Sequence, residues 1–139
     1  MFNKKYEDRL AAWSDFRNTL ETTDNPYQDV IDFYQQAPLV SIHTDPFDQA
    51  QWPTPWELIQ ENQYCEFARV LGYCFSLQLT ERFSGANFEI HIVTSREKSY
   101  LYLLIIDSKI VLGYDETSPV SYLDIQSDLQ SQVIYSMEN

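Results

Sequence analysis

Tyr6, Leu10, Trp13, Phe16 and Leu20 recur at helical spacing near the start of the chain, with charged residues between them. The spacing predicts an amphipathic helix over Lys4–Leu20, ended by Thr22-Thr23-Asp24. Asn25-Pro26 then places a capping residue before a proline at the first helical position, and Gln28 completes a capping-box pattern. This second helix reaches about Gln36, with Val30, Phe33 and Tyr34 inward, and Pro38 stops it. Leu39–His43 is expected to form a short strand. Thr44–Pro53, which contains Asp45-Pro46, is expected to be a turn-rich loop.

Thr54-Pro55-Trp56-Glu57 is a helix start with a mechanism. The Thr54 hydroxyl can accept from the Glu57 amide, and the Glu57 carboxylate can reach back to the Thr54 amide. Ile59, Tyr64, Phe67, Ala68, Leu71, Phe75 and Leu79 follow so densely that the helix is expected to be buried on most sides. Ser84-Gly85 ends it. Phe88, Ile90, Ile92 and Thr94 then alternate with Glu89, His91, Val93 and Ser95, which predicts a half-buried strand. Arg96-Glu97-Lys98 is read as a turn, Tyr100–Ile106 as a central strand, and Ile110–Tyr114 as a third strand after Asp107-Ser108-Lys109. Leu123–Met137 is read as a last helix. The expected fold is a single α+β domain over residues 1–139. Its N-terminal helices and buried central helix pack on a short antiparallel three-stranded meander.

Composition sharpens this picture. A chain of 139 residues that is 44% hydrophobic and 15% aromatic can bury a core without metal or disulfide support. The formal net charge is −12, and neither 18–68 nor 110–139 contains a Lys or Arg. Such a surface repels phosphate backbones, so direct nucleic-acid binding is disfavoured. It fits a protein partner with a basic surface, or an acidic DNA mimic that blocks a basic nucleic-acid site. No apolar run reaches the length of a membrane span, and Met1–Thr19 has no signal-peptide pattern.

Cys65 and Cys74 are the two cysteines. On one helix they would lie about 180° apart and roughly 13 Å along the axis, whereas a disulfide needs Cα atoms within about 7 Å. Free thiols in a reducing compartment are therefore expected. A thiol nucleophile needs a base and an orienting acceptor. Cys65, His91 and an acid at Asp107 or Asp115 are the one set in suitable chain order. The cap at Thr54 puts Cys65 in mid-helix, however, where the helix dipole does little for a thiolate. A break at Asn62-Gln63 with a new helix near Cys65 would change that. His43, Asp45 and Asp48 could meet a hard cation, but an Asp-Pro turn accounts for them and no metal is expected. There is no phosphate-binding glycine loop or serine-nucleophile elbow, and no cofactor is expected.

Cys65-Glu66-Phe67-Ala68 resembles the start of the catalytic helix in the transglutaminase-like superfamily, where Cys is soon followed by an aromatic and Ala. The similarity spans about Pro55–Tyr114. It implies a papain/transglutaminase-like thiol enzyme in which Cys65 is the nucleophile, His91 the base and Asp107 the orienting acid. No Gly precedes Cys65 and no Trp follows His91, which departs from that pattern.

Five further segments are similar to small uncharacterised proteins of contractile-tailed marine phages that infect cyanobacteria. They are Phe16–Leu20, Ala37–Val40, Trp52–Leu58, Gln78–Phe83 and Phe88–Ile92. This resemblance implies a phage-encoded, non-catalytic interaction protein. It would be either a virion component of the neck or tail or a binder of a host protein, in the host cytoplasm or packaged in the virion. Aromatic rings beside carboxylates suit such an interface, since the ring anchors and the charges steer. Phe47, Asp48 and Trp52 are the candidate contact residues.

Overall fold

The computed structural model describes residues 1–40, 44–95 and 99–138. Its fold is α+β. Helices α1 (Tyr6–Leu20), α2 (Pro26–Tyr34), α3 (Pro55–Glu61) and α4 (Glu66–Gln78) precede an antiparallel sheet. The strands are β1 (Phe88–Thr94), β2 (Tyr100–Ile106), β3 (Ile110–Leu112), β4 (Val120–Ser121) and β5 (Gln130–Ser136), with a short helix α5 (Tyr122–Ile125) before β5.

The sheet order is β4-β3-β2-β1-β5. The expected meander β1-β2-β3 is present and is extended by one strand at each edge. Asp107 and Ser108 both have positive φ (54° and 55°) in the β2–β3 turn. The Lys109 amide closes that turn on the Ile106 carbonyl at 3.0 Å, as a two-residue hairpin requires. Beyond β3 the chain turns at Gly113, with φ +101°; a Cβ there would stand 2.4 Å from the Tyr102 carbonyl oxygen.

Alternation along the strands creates two cores. Phe88, Ile90, Leu104, Ile106 and Leu112 face the helices and join the larger core with Phe67, Leu71 and Leu77 of α4. Val93, Leu103, Ile105 and Val111 face the other way and are covered by Ile125, with Tyr114, Val120, Tyr122 and Leu129 around it. Helix α4 is buried from Phe67 through Leu77 except at Arg69. Each fully buried apolar side chain contributes about 1.5–3 kcal/mol relative to exposure, so α4 is the main apolar support of the fold.

Two sequence expectations are corrected. The helix expected to run from Thr54 to Leu79 is two helices. It ends at Glu61, with Asn62 in the left-handed region (φ 52°) as its C-cap, and restarts at Glu66 with Cys65 as N-cap. Asparagine tolerates that conformation better than most residues. The break lets Tyr64 bury its ring fully against Phe2 and Tyr34. The helix expected over Leu123–Met137 is confined to α5 and a short 3-10 turn, followed by strand β5 on β1. Val133-Ile134-Tyr135 is β-branched and aromatic, and the open edge of β1 offers it a ladder of hydrogen bonds. Of the expected strand Leu39–His43, Leu39 makes one parallel bridge to Tyr64, while 41–43 lie outside the described residues, as does the expected turn at 96–98.

Candidate functional site

Cys65 stands at the N-terminus of α4, with extended backbone (φ −103°, ψ 178°) and only 6% of its surface exposed. It lines a cleft of about 320 Å³ with Leu39, Val40, Thr44, Pro46, Glu66, Phe67 and Tyr102. The break after Asn62 has thus placed the thiol at a helix start, the arrangement a nucleophilic cysteine needs.

The rest of the thiol set does not join it. His91 lies on β1 between Ile90 and Ile92, so its side chain leaves the opposite face of the sheet from the one packed on α4. It is buried there, its Nε2 3.2 Å from Glu89 Oε1 and its ring edge-on to Tyr122 at 6.3 Å. A histidine with its own carboxylate and an aromatic neighbour needs no catalytic role to explain its burial.

Asp107 belongs to the β2–β3 turn. Its Oδ1 accepts the Asn87 amide at 2.7 Å, and its own amide donates to the Asn87 carbonyl at 2.8 Å. His91 pairs with Leu103 in the register, so Asp107 lies about 13 Å further along the strand. Asp115 Oδ1 accepts from both the amide and the hydroxyl of Thr117 at 2.9 Å. The Thr117 amide, foremost among these contacts, holds the Asp115 carboxyl below its ordinary range. Both acids organise turns. Cys74 is fully enclosed, and burial pushes its thiol pKa up. Both cysteines are free.

The structure also separates the proposed contact residues. Phe47 is 47% exposed and meets Tyr100, itself 50% exposed, edge-on at 5.6 Å. Trp52 turns inward. Its ring lies between Phe67 at 5.0 Å and Tyr135 at 4.7 Å, and its indole N–H donates to the Asp45 carbonyl at 3.1 Å. Asp48 is exposed beside them. His43 lies outside the described residues, and Asp45 Oδ1 accepts the Phe47 amide at 2.9 Å. Among the described residues no group of three or more His, Cys, Asp or Glu could hold a metal, and no helix is long and apolar enough to cross a membrane.

Sequence reasoning missed several residues that tie the helices together. Arg9 is buried, and its guanidinium donates at 3.0 Å to the Ile59 and Gln60 carbonyls at the end of α3. Trp13 Nε1 donates to Ser76 Oγ at 2.9 Å, and the Tyr34 hydroxyl bonds the same oxygen at 3.0 Å. Nothing in the sequence near Arg9 or Ser76 marks these partners. Glu21 accepts the amides of Glu81 and Arg82 at 2.9 Å.

No protein-family model matches the sequence, and no curated protein matches it. The chemistry of the site therefore rests on its own residues. It is an apolar cleft beside Cys65, flanked by Phe47 and Tyr100, with Glu66 in its lining.

Proposed function

We propose that this chain is a non-catalytic interaction protein that seats an apolar side chain of a basic protein partner in the cleft beside Cys65. In the phage setting implied by the sequence resemblance, the partner is a neck or tail component of the virion or a protein of the host. The observation that carries this reading is the exposed apolar surface at the cleft. Leu39 is 53% exposed, Val40 42%, Phe47 47% and Tyr100 50%, in a chain whose remaining large apolar side chains are mostly buried. Phe47 follows Pro46 of the cleft, and Tyr100 lies on the same face of β2 as Tyr102. Clustered apolar exposure of this kind is characteristic of binding surfaces. Asp45, Asp48 and Glu66 add negative charge, partly offset by Arg69, which lines the adjoining pocket with Glu66, Tyr100 and Tyr102. A partner that sets a Leu or Phe among Lys or Arg residues would match the cleft in shape and charge.

The placement of His91 across the sheet weighs against the thiol-enzyme reading. Asp29, Asp107, Asp115 and Glu21 are engaged in turn and loop hydrogen bonds, which gives the DNA-mimic reading no specific support.

The test is fluorescence anisotropy with labelled peptides that place Leu or Phe between Lys and Arg, beside controls with Ser at the apolar position. Apolar-basic peptides should bind, more weakly as salt rises. The double substitution Phe47→Ser, Tyr100→Ser should weaken them at least tenfold while leaving the melting temperature nearly unchanged. Trp52→Ala should instead lower the melting temperature. Absence of binding across the panel, or binding indifferent to the double substitution, would overturn the proposal.

A further inference from the structure

Strand β5 forms one edge of the sheet. The Met137 amide donates to the Phe88 carbonyl at 2.8 Å. Ser136 lies opposite Glu89, Tyr135 opposite Ile90, Ile134 opposite His91 and Val133 opposite Ile92. Bonded and non-bonded pairs alternate in an antiparallel ladder. Met137, Tyr135 and Val133 therefore bond to β1, and the backbone N–H and C=O groups of Ile134 and Ser136 point away from it. Among the described residues no other strand pairs with that edge.

Natural proteins blunt such edges with Lys, Pro, inward charges or bulges. β5 has a register irregularity at Gln132, opposite Ile92/Val93. Otherwise, Leu129–Met137 contains no Lys, Arg, Asp, Glu or Pro. Ile134 is 52% exposed on it. The stretch is bounded by Asp128 and Glu138 in a chain of net charge −12. Two copies of so acidic a chain repel one another over most of their surfaces, and an uncharged edge is where they approach at least cost.

We infer that β5 pairs antiparallel with β5 of a second copy of this chain, about a two-fold axis beside Tyr135 that sets Ile134 of each copy opposite Ser136 of the other. An antiparallel strand is complementary to itself under that rotation, so the outward groups of Ile134 and Ser136 find partners on both copies at once. Ile134 and Ser136 both lose exposure on pairing. The opposite edge of the sheet is β4, only two residues long. Pairing therefore closes at a dimer with one continuous sheet and does not propagate into a fibre. This surface is separate from the cleft beside Cys65, and the inference stands without the function proposed for that cleft.

Sedimentation of the full chain over a range of concentrations tests the inference. The expected result is a reversible equilibrium between a 16.4 kDa species and one of twice that mass. Ser136→Pro removes an outward N–H and no bond to β1, and Ile134→Lys sets like charges diagonally across the axis. Each should weaken the dimer at least tenfold with an unchanged far-ultraviolet circular dichroism spectrum. Hydrogen exchange on the wild-type chain gives a readout without substitution. The Ile134 and Ser136 amides should be protected at high concentration and exposed on dilution, while Val133 and Tyr135 stay protected throughout. A chain monomeric at every concentration, a dimer that survives both substitutions, or Ile134 and Ser136 amides indifferent to dilution would overturn it. So would a chain that stays monomeric while its edge takes up a strand from another protein.

Discussion

The ring of Tyr34 packs directly against the bare backbone of Gly72. A Cβ at Gly72 would stand 2.5 Å from Tyr34 Cε1 and 2.7 Å from Cζ. Tyr34 has no room to retreat, because Phe2, Phe33, Tyr64 and Tyr73 surround it and its hydroxyl is bound to Ser76. Helix α4 thus approaches α2 closely at one position that only glycine permits.

Gly72→Ala sets two effects against each other. Alanine gains about 1 kcal/mol of helix propensity over glycine. Overpacking a rigid core costs typically 1–3 kcal/mol, and a contact this short belongs at the upper end of that range. We expect a net destabilisation of about 1–2 kcal/mol, read from the urea midpoint. Adding Tyr34→Leu should relieve part of the clash, so the two substitutions should be non-additive.

Thr54 and Glu57 form the reciprocal cap that the sequence predicts. The Glu57 amide donates to Thr54 Oγ1 at 3.2 Å, and the Thr54 amide donates to Glu57 Oε1 at 3.0 Å. Thr54→Ala should cost about 1 kcal/mol. An unchanged denaturation midpoint would show that the cap contributes nothing to the folded state.

The two thiols should differ in access. Cys74 is sealed in the core with a raised pKa, whereas Cys65 borders the cleft. A thiol reagent should therefore modify Cys65 before Cys74 in the native protein and both rapidly after unfolding. His91→Ala should leave the Cys65 rate unchanged, since His91 lies across the sheet. A large drop in that rate would restore the histidine to the thiol chemistry.

Glu21 should make stability sensitive to acid. The Arg82 amide first, then the Glu81 amide, holds its carboxyl below the ordinary value of 4.5. A depressed folded pKa stabilises the fold above the unfolded value, and that contribution is lost as pH falls through the folded value. Glu21→Gln should accordingly be less stable than wild type at neutral pH. The gap should narrow below pH 4.5, measured by thermal denaturation across a pH series. A constant gap would mean that the substitution acts through packing alone.

Local chemistry made much of this protein legible in its sequence. Thr54-Pro55-Trp56-Glu57 carries its own capping partners within one turn, and the alternation from Phe88 to Thr94 separates the two faces of β1, although the strand read as half-buried is covered on both, with His91 and Val93 buried on the second face. The positive-φ turn at Asp107-Ser108 is likewise bounded by its own two strands. Parity along β1 already placed His91 on the face opposite Ile90, but only the position of α4 decided which face Cys65 would share. The break at Asn62 goes with tertiary contacts, because the extended chain at Tyr64 bridges to Leu39 and sets its ring against Phe2 and Tyr34. The strand at Gln130–Ser136 depended on it too, since β5 owes its ladder to β1, some 40 residues earlier in the chain. Propensity is local, and it was overruled wherever burial or pairing with a distant segment yielded more free energy than the local conformation did.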